Sequence, residues 1–129
     1  MRLSRYKLHP KLLDKLTKDF YKSVLDQDNY NGLVNFGDRI FTPTELEALG
    51  KRLGILKMLR QDLSYWEIKD KIKVTNSTIN KMANILKKAD KRFIETLGRL
   101  VEEDKSDRLK RKESKYIKSS KQVFAKRRS

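Results

Sequence analysis

Apolar residues recur along this chain at intervals of three and four, the spacing of helix faces rather than of alternating strands. After Pro10, Leu12, Leu13, Leu16, Phe20 and Val24 predict an amphipathic helix over 10–27. Pro10 suits the first helical position, where no N–H is needed. Asp28 and Asn29 interrupt it. Leu33, Phe36 and Ile40 then predict a shorter second helix, weakened by Gly32 and Gly37. Thr42-Pro43-Thr44-Glu45 reads as a helix start: Thr42 caps, Pro43 opens the first turn and Glu45 completes a capping box. Leu46, Leu49, Leu53 and Leu56 follow, with Ile55 and Leu59 beside them. The third helix is therefore expected to run to about Arg60, with a face wide enough to centre the core.

Ser64 and Glu67 form a second capping box, opening a helix of about two turns that ends near Ile72. Lys73-Val74-Thr75 makes a turn, and Thr75 caps a fifth helix from Asn76 to near Lys88. Counted from Tyr65, the fourth, eighth, tenth, fifteenth and eighteenth positions are apolar: Ile68, Ile72, Val74, Ile79 and Met82. Two short helices crossing steeply need apolar residues at those offsets, which is the helix-turn-helix pattern. Two positions fit less well. Lys69 stands where a small residue eases the helix approach, and Lys73 where the turn favours Gly. A left-handed Lys73 costs about 1 kcal/mol. The competing reading is an ordinary helical hairpin with charged faces. A last helix is expected over Lys91–Glu103. Beyond it Leu109, Tyr116, Ile117, Val123 and Phe124 are too sparse for a core. The organisation is one domain, 1–104, and a basic tail, 105–129, disordered or transiently helical when alone.

Net charge changes the picture. The chain carries +15, and residues 105–129 supply 11 Lys or Arg against Asp107 and Glu113. Such a balance favours polyanionic partners: double-stranded DNA, RNA or an acidic membrane surface. Hydrophobic residues make up 37%, enough for one modest core, and only five Gly and two Pro argue against a many-turned β fold. With no Cys there is no disulfide, zinc finger or thiol chemistry, and a cytoplasmic, nucleoid-associated location is expected. No apolar run approaches a membrane span, and Arg2 and Arg5 lead into no secretory signal. The sequence also argues against an enzyme. His9 is the only histidine, and neither a nucleophile–base pair, a metal cluster nor a phosphate-binding glycine loop appears.

Phe41-Thr42-Pro43-Thr44-Glu45-Leu46-Glu47-Ala48-Leu49-Gly50-Lys51-Arg52 resembles the central helix of the Trp repressor family, whose pattern is close to TPxExEALGxR. Thr78-Ile79-Asn80-Lys81 resembles that family's recognition helix, where T-I-x-R is typical. The resemblance covers roughly 10–100 in helix order and is specific over 41–86; the tail lies outside it. The connection between the third and fourth helices is one residue shorter than in tryptophan-binding members, and resembles the family's shorter bacterial branch. The resemblance implies an all-α, intertwined homodimer whose recognition helices enter successive major grooves, about 34 Å apart. In tryptophan-responsive members the ligand lies between the central and recognition helices, flanked by two arginines, with a Gly and a Ser leaving room. Here Arg52 and Thr78 match. Lys81 replaces the second arginine, Met82 the Gly and Ile85 the Ser. Two large apolar side chains are expected to fill the slot, and Lys lacks the planar guanidinium that stacks on indole. No tryptophan or other cofactor is therefore expected, and Arg52 serves either the old pocket or a surface or dimer-interface contact.

Asn76, Ser77, Asn80 and Lys81 are the candidate base-contacting residues. Asn reads adenine bidentately, Ser contacts several edges or a phosphate, and Lys reaches guanine or a phosphate. Lys69, Lys71 and Lys73 suit backbone contacts that set register. Ser77 and Thr78 have a plainer alternative, satisfying first-turn amides. Trp66 is expected to pack on the third helix or a partner protomer, or to lie on the sugar-phosphate backbone. The function so implied is a DNA-binding transcriptional regulator, a repressor in its simplest form, with the tail adding nonspecific phosphate contacts. The alternatives are a nonspecific nucleic-acid-binding protein, nucleoid- or RNA-associated, and a helical module for acidic protein partners.

Overall fold

A computed structural model describes residues 6–128, with side chains through Lys115. Arg2 and Arg5 of the basic lead, and the side chains of Tyr116, Ile117, Val123 and Phe124, lie outside the described residues. All described elements are α-helices: α1 (Pro10–Leu25), α2 (Tyr30–Ile40), α3 (Pro43–Arg60), α4 (Tyr65–Ile72), α5 (Asn76–Lys88) and α6 (Lys91–Arg128). The chain forms two compact units, divided inside α3 between Lys51 and Arg52.

Within the first unit the helix starts follow their caps. His9 Nδ1 accepts from the Lys11 N–H at 3.2 Å, and Asn29 Oδ1 from the Gly32 N–H at 2.9 Å. The Thr42 box closes reciprocally: the Thr42 N–H donates to Glu45 Oε1 at 2.9 Å, and the Glu45 N–H to Thr42 Oγ1 at 3.2 Å. Two of the orphan donors of α3 are thereby satisfied. The aromatic residues Phe20, Phe36 and Phe41 gather here, with Phe20 at 6.4 Å from Phe36 and 5.8 Å from Phe41 between ring centroids. Neither α1 nor α2 has a buried residue, and Leu12, Leu13, Leu16, Leu33, Val34 and Ile40 are exposed.

The second unit holds the core. Ile55 and Leu56 of α3, Ile68 of α4, Ile79 and Met82 of α5, and Leu97 of α6 form one buried cluster, with Ile72, Val74, Leu86 and Phe93 packed against it. Every apolar position that the helix-turn-helix spacing requires lies in or on this cluster. The expected role of α3 as centre of the core is carried by Ile55 and Leu56, with Met58 and Leu59 against the cluster, whereas Leu46 and Leu53 are exposed. At its end α3 closes in a Schellman motif. The Leu63 N–H reaches the Met58 carbonyl at 3.1 Å and the Asp62 N–H the Leu59 carbonyl at 3.0 Å, with Asp62 at φ 59° where Gly is usual. Lys57 Nζ meets Asp104 Oδ2 at 2.6 Å, joining α3 to α6.

The tail departs from expectation. Helix α6 does not stop near Glu103 but continues to Arg128, so the stretch read as a disordered tail is helical over 105–128. No Gly or Pro follows Gly98, and Lys, Arg and Glu are good helix formers. Asp90 Oδ1 caps the start through the Phe93 N–H at 2.8 Å, and Leu97 and Val101 anchor the first turns. Once a helix is nucleated, each further residue adds a hydrogen bond without a new nucleation penalty. The sparse apolar residues do limit burial, since 105–115 are all exposed.

Candidate nucleic-acid interface

Helices α4 and α5 and the turn between them set the geometry of the site. Ser64 Oγ caps α4 through the Glu67 N–H at 3.2 Å. Helix α4 ends at Lys73, which adopts φ 60° and ψ 58° and returns its N–H to the Lys69 carbonyl at 3.0 Å. This is the left-handed turn the spacing requires, made by a lysine. Thr75 Oγ1 then caps α5 through the Thr78 N–H at 3.3 Å. Ile68 and Ile79, both fully buried, pin the two helices face to face. Gly54 of α3 gives Ile72 room: a Cβ there would lie 2.9 Å from the Ile72 Cδ1.

With Ile79 and Met82 turned inward, the opposite face of α5 is left to solvent. Asn76, Ser77, Asn80 and Lys81 are exposed there together, as are Asn84, Lys87 and Lys88 further along. Lys71 and Lys73 are exposed on α4 and its turn, while Lys69 is half-buried. The ordinary role is assigned to Thr78, whose N–H is capped and whose hydroxyl pairs with the Thr75 hydroxyl at 3.2 Å. Tyr65 carries no motif that marks it in the sequence. Its hydroxyl donates to Asn80 Oδ1 at 2.8 Å, linking the start of α4 to the exposed face of α5. Fifteen residues separate the pair, so no helical periodicity signals it.

Trp66, expected on the third helix, on a partner protomer or on the sugar-phosphate backbone, is 72% exposed within the chain. Of the two side chains expected to fill the ligand slot, Met82 is buried in the core at 4% exposure but Ile85 is 38% exposed. Ile79, Met82 and Leu86 share the inner face of α5, and Ile85 stands one residue, about 100° of rotation, from Leu86. Arg52 and Lys81 are exposed and Thr78 is half-buried.

The sequence model of the family described as Trp repressor protein matches residues 15–101 of the chain. The chain belongs to the Trp repressor family. A search of curated proteins and a search of solved structures each found no match. The match covers α3, α4 and α5 entirely and ends at Val101, the last buried residue of α6 among those described. The Trp repressor family is one of DNA-binding helix-turn-helix regulators, not of enzymes. Among the described residues no group of His, Asp and Glu is placed to hold a metal ion, and no helix is long and apolar enough to cross a membrane.

Proposed function

We propose that this Trp repressor family member is a sequence-specific transcriptional repressor that binds operator DNA as a homodimer, without tryptophan as corepressor, at the nucleoid of a cytoplasmic compartment. The observation that carries the reading is the division of α5 into a core face and a polar, cationic reading face behind a left-handed turn. Asn76, Ser77, Asn80 and Lys81 reach base edges; Lys69, Lys71 and Lys73 hold phosphates and set register.

The exposed apolar residues of α1 and α2 support the dimer. Neither helix buries a side chain within one chain, and a second copy would remove Leu12, Leu13, Leu16 and Leu33 from water. Burial of Met82 supports operation without tryptophan, because a thioether chain in the core stands where the family's pocket has Gly. The exposed, flexible Lys81 offers no planar group to an indole. The basic part of α6, exposed over 105–115, adds nonspecific phosphate contacts.

Selection of bound duplexes from a random library at physiological salt, with full-length protein, tests the reading. It requires a palindromic consensus with half-sites about one helical turn apart. Sequence-independent binding would replace it with the nonspecific nucleic-acid reading. A micromolar tryptophan affinity by calorimetry would overturn the corepressor part alone.

A further inference from the structure

We propose that Tyr65 sets which base Asn80 reads, an inference that rests on α5 being the DNA-reading helix. An asparagine free to turn its amide pairs with adenine, donating from Nδ2 to N7 and accepting from N6 at Oδ1. Asn80 is not free in that sense. The Tyr65 hydroxyl carries one proton, and that proton goes to Asn80 Oδ1 at 2.8 Å. The bond fixes the side-chain rotamer and takes one of the two lone pairs of Oδ1, with the phenol standing on the acceptor's side, so the two N–H groups of Nδ2 are what Asn80 offers most openly to a groove.

A donor pair meets the acceptor pair of guanine, N7 and O6, and opposes the N6 amino group of adenine. Asn80 therefore prefers guanine, and Tyr65 is a positioning residue acting through Asn80 rather than on the base. Both side chains are exposed, so the bond forms at the surface where DNA arrives and is not part of the core. Ser64 caps the first turn of α4, next to Tyr65 in sequence, and Ile68 anchors that helix, so the backbone that carries the phenol is held without the Asn80 bond.

The test compares wild type, Tyr65→Phe, Asn80→Ala and the double variant by duplex selection, and follows the Asn80 side-chain amide signals of the DNA-free proteins by NMR. Wild type selects guanine at one position of each half-site. Tyr65→Phe lowers the guanine-over-adenine preference there by about fivefold, the worth of one ordinary hydrogen bond. The rest of the consensus, the affinity for random DNA and the unfolding temperature stay unchanged. In the Asn80→Ala background, Tyr65→Phe changes nothing further. In the free protein the Asn80 amide signals move on Tyr65→Phe. Adenine at that position in wild type, an unaltered preference in Tyr65→Phe, or unmoved amide signals each overturn the proposal while leaving α5 as the reading helix. A wild-type selection without any consensus overturns both.

Discussion

Replacing Lys73 with Gly separates what this residue does for the fold from what it does for DNA. Lys73 sits at φ 60°. For an L-residue with a Cβ the left-handed region costs roughly 1–2 kcal/mol. Gly removes that strain but brings an unfolded chain with more freedom to lose, about 0.5–1 kcal/mol. The net expectation for Lys73→Gly is a gain of about 0.5–1 kcal/mol, or roughly 2–4 °C in unfolding temperature at fixed protein concentration. The same substitution deletes an exposed cation next to α5, the helix proposed to read DNA. One lost phosphate contact lowers the slope of log affinity against log salt by about 0.9, equally on operator and random duplexes. The variant is thus more stable and binds more weakly. Lys73→Ala keeps the strain and loses the charge, so it shares the binding loss without the gain. Asp62→Gly relieves a comparable φ of 59° away from the reading face, and leaves binding alone. Its gain is smaller, because a short polar side chain tolerates this region better. Thermal unfolding by far-UV circular dichroism and anisotropy titrations across salt read both effects. A Lys73→Gly protein no more stable than Lys73→Ala refutes the strain argument, and an unchanged salt slope refutes the phosphate contact.

Asn80→Ala should relax base preference at a single position of each half-site, whereas Lys69→Ala should weaken all duplexes alike; equal losses from both, measured on operator and random DNA, would dissolve the distinction. Ile68→Ala should destabilise the second unit by about 2–5 kcal/mol, since a fully buried side chain between α3, α4 and α5 leaves a cavity; denaturant unfolding gives the number, and a loss below about 1 kcal/mol would mean that α4 is not held by this contact. Ending the chain after Asp104 keeps Val101 and the Lys57–Asp104 pair but removes all 11 Lys and Arg of the tail. That truncation should reduce the salt slope on random duplexes and leave the selected consensus intact; an identical slope would show that the tail touches no DNA.

What the sequence made legible was whatever depends on residues close together along the chain. The Thr42–Glu45 box, the Ser64 and Thr75 caps and the 3–4 spacing of apolar residues set the starts of α3, α4 and α5. The helix-turn-helix offsets named five apolar residues, and all five pack together. The misses have a common cause. Whether Leu46 and Leu53 are covered depends on partners distant in sequence, and a helix as apolar all round as α3 does not declare which side faces them. The helical continuation beyond Glu103 leaves no trace in the apolar pattern, because its apolar residues are too sparse to mark a packed face. Composition there withholds tertiary burial, but it does not stop a helix already started by an anchored segment. The Tyr65–Asn80 bond leaves no periodic trace, since it joins two helices across a turn.

On the proposed reading, the burial of Met82 bears on regulation as much as on binding. A small-molecule effector shifts an equilibrium only by its differential affinity for the two states. Where a ligand fits between the central and recognition helices, its binding free energy can select the arrangement that meets DNA. Here Ile55, Ile68, Ile79 and Met82 fill one cluster shared by α3, α4 and α5, and reorienting α5 would uncover those side chains. Their combined burial is worth several kcal/mol, at about 1.5–3 kcal/mol for each large apolar side chain. The orientation of α5 is then fixed by the fold rather than granted by a ligand. Control of such a protein has to act elsewhere, through its amount, its dimerisation or the salt-sensitive contacts of α6, each of which changes occupancy of DNA without moving the reading helix.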